Sequence, residues 1–281
     1  MPSISAQEVK EFYRLHNDDM HGTRYESDFA MRAYAHRTRN ERLLALLEPG
    51  KTMLEVGAGD GVFAVMAAKK GLRVFATDIS EPNIERARQY ALDQGVGDKV
   101  QFVLADAAHI PAEDGSYDIV VASHVLEHVP DFNEALAEVH RVSRDKALIA
   151  LPTCLSPCAW SLLGGCSWWY FGKKSIPAMV YGFLRMVWAL ITGADWVDEG
   201  SYGGKKGAPH LWRFPWAMRR HLSEGGFKVL SFEADSFPIP WINALAPTTR
   251  YLDRFRGTPI LRELGYGSHA LLQKREKNKV V

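Results

Sequence analysis

Between Lys51 and Pro152 the chain alternates two hydrophobic rhythms. Short, continuously apolar runs (TMLEV, LRVFATD, VQFVLAD, YDIVVAS and KALIALP) are separated by longer stretches such as VFAVMAAKK, PNIERARQYALDQG and FNEALAEVHRVS, whose apolar residues recur at helical spacing. A strand apolar on both faces must be covered on both, and an amphipathic helix after each strand supplies the cover. The alternation therefore predicts an open, doubly wound α/β domain with a mostly parallel sheet. The chain has 281 residues and 47% hydrophobic composition, enough for a full core, and no low-complexity linker or internal repeat interrupts it.

The first strand runs into LEVGAGDG, residues 54–61. Glycine has no Cβ and accepts positive φ, so a strand that ends in Gly57, Gly59 and Gly61 before a helix lets a ligand approach the backbone closely. The spacing is GxGxG, not the GxGxxG of a dinucleotide fingerprint, and Glu55 and Asp60 bracket it. Two carboxylates beside the loop make a poor seat for pyrophosphate and a better one for a positively charged ligand. Asp78 ends the second strand, where a carboxylate can accept both hydroxyls of a ribose, and Asp106 ends the third, within reach of an adenine edge. The acidic positions converge on one crevice at the carboxyl ends of the strands.

In these motifs the sequence resembles the class I S-adenosylmethionine-dependent methyltransferases, from about Arg32 to Pro152. LEVGAGDG is similar to the family's first motif, ATDIS to the end of its second strand, and LADAAHIPAEDGSYDIVVASHVLEHVPD to its third and fourth strands. The resemblance implies a Rossmann-like, seven-stranded, mostly parallel sheet with S-adenosylmethionine as cofactor. It assigns the cofactor to Glu55, Gly57, Ala58, Gly59, Asp78, Ile79, Asp106, Ala107 and Ser123.

SHVLEHV, residues 123–129, falls where the fourth strand hands over to its helix, so Ser123 and His124 are expected near the reactive methyl. Histidine titrates near neutrality and suits removal of a proton from a phenol or alcohol. His124 is the first candidate for the base, with His128 in the same tract and His210 ahead of LWRFPW as further candidates. The alternative is that the tract only orients the loop and cofactor. Glu127 with His124 and His128 forms an HxxEH order that matches no settled ligand geometry, and no metal is expected.

Beyond Pro152 the rhythm breaks into an apolar insert. CAWSLLGGCSWWYFGKK sets Trp160, Trp168, Trp169, Tyr170 and Phe171 beside Lys173 and Lys174, and IPAMVYGFLRMVWALITGA follows with Arg185 as its single charge. A spanning helix needs about 20 largely apolar residues, so the second run barely qualifies and carries both Pro177 and a central arginine. Residues 155–195 are expected to form a helical lid over an apolar substrate that also touches a membrane surface, with a dry lid or a dimer contact as alternatives. Cys154, Cys158 and Cys166, odd in number and with no completing ligand nearby, are expected to be small buried hydrophobes. Helix-like FPWAMRRHLSEGG and strand-like FKVLSFEAD and HALLQK then complete the sheet. The expected divisions are 1–50 (helices capping the cofactor site), 51–152 (the α/β core), 153–208 (the insert) and 209–281 (the C-terminal completion).

The layout is most similar to the ubiquinone-biosynthesis O-methyltransferases, which also carry an HR…RL tract, here HRTRNERL from His36 to Leu43, a VLEHVPD tract and an apolar insert after the fifth strand. That likeness implies that Arg37 pairs with the cofactor carboxylate. The expected function is methyl transfer, at oxygen, to a hydrophobic small molecule such as a quinol, lipid or apolar natural product. Two rivals stand beside it: a non-catalytic lipid-binding or scaffold protein, and a protein or nucleic-acid methyltransferase. Lys plus Arg exceed Asp plus Glu by one, so no global field draws nucleic acid. The polar N-terminus lacks a signal-like apolar core, and a cytoplasmic location, peripheral to a membrane, is the expectation.

Overall fold

The computed structural model describes residues 5–15, 24–202, 205–206 and 209–275. Two helices lead it, α1 (Ala6–Arg14) and α2 (Ala30–Ala45). Helix α1 starts on a capping box in which Ser5 Oγ accepts from the Glu8 N–H and the Glu8 carboxylate accepts from the Ser5 N–H. The sequence expects helices over 6–19 and 26–47. The first is shorter, with 16–23 outside the described residues, and the second starts four residues later than expected.

The alternation that follows is β1 (Thr52–Val56), α3 (Val62–Lys69), β2 (Arg73–Asp78), α4 (Glu81–Asp93), β3 (Val100–Leu104), β4 (Tyr117–Ser123), α5 (Phe132–Val142) and β5 (Ser143–Pro152). The insert then contributes α6 (Pro157–Leu163), α7 (Ser175–Ile191) and the short strands β6 (Trp196–Asp198), β7 (Ser201–Tyr202) and β8 (Lys205–Lys206). The chain closes with β9 (Leu211–Arg213), α8 (Pro215–Glu224), β10 (Phe227–Ala234), α9 (Ala246–Leu252) and β11 (Gly267–Lys274).

Seven strands form one sheet in the order β10-β11-β5-β4-β1-β2-β3, in which only β11 runs against its neighbours. Residues alternate across it: Met53, Val74, Val121 and Leu148 pack with α2, α3 and α4 on one face, and Leu54, Val56, Val120 and Ile149 pack with α5 and α8 on the other. Strand order reverses between β1 and β4, which opens a crevice at their carboxyl ends.

The insert has its own small core, in which Cys154, Leu163, Met186 and Val197 pack against Trp212 and Phe214. Ser175, Ala178, Gly182, Met186 and Ala189 line the buried side of α7. At the crossing with α6 a Cβ on Gly182 would fall on the Trp160 carbonyl oxygen, and one on Gly164 on the Ala178 carbonyl, so the two helices meet backbone to backbone. Arg185 donates to the carbonyls of Leu163 and Asp198, occupying the acceptor left at the end of α6. The sequence predicts a helical insert over 153–208; beyond its helices, β6 pairs antiparallel with β9 in a short ribbon. Among the described residues no helix is long and apolar enough to cross a membrane.

Candidate active site

A cavity of about 630 Å³ opens over the carboxyl ends of β1, β2, β3 and β4. Its floor is the glycine turn, with Gly57 at φ 70° and Gly59 at φ 56°. A Cβ on Gly57 would land on the Val125 side chain, so the turn is bare for two reasons, its handedness and the segment after β4 pressed against it. Gly59 N–H donates to Asp78 Oδ2 at 2.8 Å, while Ser80 N–H and Asn83 Nδ2 donate to Oδ1. Asp78 is thereby fixed at the tip of β2.

Glu55 is buried, and its Oε2 has no hydrogen-bond partner. Burial, reinforced by the Asp78 charge, pushes the Glu55 carboxyl well above the usual carboxylate range, and burial also raises Asp78. Asp106 at the end of β3 accepts from Ala108 N–H and pairs with Lys10 at 2.7 Å, which fastens α1 over the crevice.

Of the residues expected at the site, Glu55, Gly57, Ala58, Gly59, Asp78, Ile79, Asp106, Ala107, Ser123, His124, His128 and His210 all line this cavity. Arg37 does not. It lies exposed and donates to the Tyr25 carbonyl, because the cavity meets the other side of α2. There His36, Arg39 and Asn40 are buried, and Arg39 Nε has no partner. Of the two arginines it is Arg39 that lines the cavity.

The histidines form a cluster at the far end. His124 adopts φ 57°, unusual for a side chain with a Cβ, and its N–H donates to the Ala150 carbonyl. Both of its ring nitrogens face buried carboxylates, Nδ1 at 3.1 Å from Glu127 Oε1 and Nε2 at 3.7 Å from Asp235 Oδ2. Asp235 in turn lies 2.7 Å from His269 Nδ1. Burial would raise Glu127, but His124, His128 and His210 outweigh it and hold the carboxyl at about 2. Burial drives His128 down to about 3 against the pull of Glu127, so its ring is neutral near pH 7. His128 Nδ1 stands 2.8 Å from the Tyr13 hydroxyl and 3.0 Å from the Pro209 carbonyl, and its ring stacks on His210 at 4.7 Å.

The expected grouping of Glu127 with His124 and His128 is changed. Ligand-type atoms of Glu127, His128 and His210 lie within 4.8 Å of one another, but His128 and His210 already face protein partners. Glu199, Asp235, Tyr13 and Tyr266 were not anticipated from sequence; they arrive from the insert, the segments flanking β10 and β11, and α1. Nothing local marks them, because each reaches the site through long-range packing.

The remaining wall is apolar and aromatic, with Leu162, Trp169, Trp212 and Tyr266 facing the cavity and Arg32 lying 4.0 Å over the Trp169 ring. Trp168, expected at a membrane surface with its neighbours, is fully buried instead, and Trp169 faces the cavity. Tyr170 and Phe171 are exposed, as are Ile176, Val180, Leu184, Trp188 and Ile191 along the outer side of α7. Cys154 and Cys158 are buried and unpaired, and burial pushes both thiols above their usual range.

Comparison with known proteins gives a consistent picture. Residues 54–151 match the family described as a methyltransferase domain. The chain is 32% identical over 141 residues to 27-O-demethylrifamycin SV methyltransferase of Amycolatopsis mediterranei, covering 49% of this chain and 52% of that protein. It is 35% identical over 100 residues to the ubiquinone biosynthesis O-methyltransferase of Hahella chejuensis, covering 35% of this chain and 41% of the relative. The matches thus span about half or less of these relatives. Among solved structures, 1,6-didemethyltoxoflavin-N1-methyltransferase of Burkholderia thailandensis superposes with a TM-score of 0.60 at 16% identity, covering 98% of this chain and 93% of that one.

Proposed function

Starting from a chain that belongs, through residues 54–151, to the class I S-adenosylmethionine-dependent methyltransferases, we propose that it methylates a hydrophobic small molecule, at oxygen, by in-line transfer. The observation that carries this reading is the two-ended cavity, acidic and glycine-floored over β1 and β2, aromatic and histidine-lined towards the insert.

The residues present fit S-adenosylmethionine. Asp78 offers carboxylate oxygens to the ribose hydroxyls, the unpartnered Glu55 Oε2 answers a cation, and the buried Arg39 Nε answers a carboxylate. When bound, the cofactor supplies an electrophilic methyl on a sulfonium. The chain's own work is to hold the acceptor in line with that methyl, exclude water behind Leu162, Trp169, Trp212 and Tyr266, and take up the acceptor's proton at the histidine cluster. The relatives named as O-methyltransferases of rifamycin and ubiquinone biosynthesis support an oxygen acceptor on an apolar skeleton.

The exposed outer side of α7, beside Lys173 and Lys174, supports peripheral contact with a membrane, from which such an acceptor would be drawn. The test is incubation with methyl-tritiated S-adenosylmethionine and a panel of prenylated hydroquinones, apolar phenols and fatty acids, followed by organic extraction. Label is expected in the organic phase with a phenolic or quinol acceptor. Tight cofactor binding by calorimetry without any labelled product would replace this reading with the non-catalytic one.

A further inference from the structure

The three histidines at the cavity differ in what their ring nitrogens face. His124 has both nitrogens turned to buried carboxylates, and His128 is engaged through Nδ1 by Tyr13 and Pro209. His210 has a different partner. Its Nδ1 stands 2.6 Å from Glu199 Oε2, a close charge contact without the alignment of a hydrogen bond, and both side chains line the cavity, with only 11% and 12% of their surface exposed.

Glu199 belongs to the insert and His210 to the segment returning from it. The β6–β9 ribbon pairs Asp198 with Leu211, and one step further the Glu199 N–H donates to the His210 carbonyl at 3.0 Å. Residues paired across such a ribbon present their side chains together, so backbone pairing itself brings the carboxylate to the imidazole. Trp212 Nε1 donates to the same oxygen, Oε2, at 2.9 Å and holds the carboxylate from a second side.

We propose that Glu199 is the positioning acid of a His210–Glu199 dyad, delivered by the insert, that takes the acceptor's hydroxyl proton. The inference rests on the reading of an oxygen acceptor given above. The Glu199 charge beside Nδ1 favours a proton on that nitrogen, which directs the lone pair to Nε2. As the acceptor oxygen forms its bond to the methyl carbon, the O–H bond breaks and its proton passes to Nε2. The pair of the breaking S–CH3 bond stays on sulfur, and the transient imidazolium is balanced by Glu199 until its proton returns to solvent. The insert then has two tasks, covering the acceptor and completing the base.

Among the described residues, titratable groups around His210 include Glu127 and His128 from the turn after β4, with Tyr13 of α1 reaching His128, and Tyr266, which feels the Glu199 charge, ahead of β11. All of them remain in a Glu199→Gln variant, which keeps an oxygen for Trp212 and removes only the charge. The whole chain with S-adenosylhomocysteine bound is followed by long-range 1H–15N spectra of its imidazoles. His210 is expected as the Nδ1–H tautomer, and that preference is expected to be lost in Glu199→Gln, since the opposite charge beside Nδ1 has been removed. With any acceptor that the tritium assay reveals, kcat is expected to fall about 10- to 100-fold and its acid limb to move to lower pH. KM for the cofactor is expected to hold, and Glu199→Asp is expected to recover part of the rate. An unchanged His210 tautomer in Glu199→Gln, or an unchanged pH–kcat limb, overturns the dyad while leaving methyl transfer intact. Absence of methyl transfer by the wild-type chain with every acceptor instead overturns the reading on which the dyad rests.

Discussion

Arg37 and Arg39 stand two positions apart on α2, a rotation of about 200° around a helix, and that rotation separates a solvent side from a cavity side. Arg37 is exposed and bonded to the Tyr25 carbonyl, whereas Arg39 is buried against the cavity with its Nε unpartnered. Arg39→Ala is expected to weaken S-adenosylhomocysteine binding at least 10-fold, the scale of one lost charged hydrogen bond. Arg37→Ala is expected to stay within about twofold of wild type, well below that scale. Calorimetric titration of both variants decides the assignment; a larger loss in Arg37→Ala would return the role to Arg37. The strand-tip residues were legible because short motifs fix them: the Gly57 and Gly59 turn and Asp78 each follow directly from a strand's last residues. Arg39 was within reach, since His36, Arg39 and Asn40 share one helical face, but a motif match alone carries no phase. Glu199 was not legible because no motif announces the ribbon that pairs it with His210, and Asp235 because its partners His124 and His269 lie far along the chain and are joined only by folding.

The elements of the core follow from pattern, because strands buried on both faces are mostly apolar, as in β1, β2, β4 and the second half of β5, while the edge strand β3 alternates between buried and exposed residues. The insert is less legible. Its composition reads as helix or membrane, and only the tertiary contact shows that Gly164 and Gly182 permit a close crossing of α6 and α7. Gly182→Ala is expected to cost about 3 kcal/mol or more, since the added methyl meets backbone that cannot swing aside. A urea midpoint equal to wild type would mean that the crossing is looser than described. The outer side of α7 carries the opposite expectation. Replacing Ile176, Val180, Leu184 and Trp188 by Ser is expected to abolish flotation with anionic vesicles while leaving cofactor affinity within about twofold, because these side chains touch neither the sheet nor the cavity. Retained flotation would assign vesicle contact elsewhere, or to Lys173 and Lys174 alone.

At the scale of the whole molecule, the buried histidines link folding to pH. His128 titrates near 3 in the folded protein against 6.5 unfolded, and burial with the Arg39 charge also holds His36 well below its usual value. A group whose folded value is depressed takes up protons in the unfolded chain first, so its contribution to stability falls as pH drops through the window between the two values. For His128 that window runs from about 6.5 down to about 3. At about 1.4 kcal/mol per unit, moving from pH 7 to pH 5 should remove about 2 kcal/mol through this residue alone. Glu127 adds to the loss only at lower pH, between its unfolded value of 4.5 and about 2. His128→Asn, which keeps a donor for the Pro209 carbonyl and cannot be protonated, is expected to start less stable but to lose about 2 kcal/mol less than wild type between pH 7 and pH 5. Urea unfolding at the two pH values measures both slopes. Parallel losses in the two proteins would mean that His128 is solvated enough to titrate normally, and that α1 does not seal the cavity through Tyr13. A smaller loss in the variant would tie acid sensitivity to the same closed chamber in which an acceptor must be held dry.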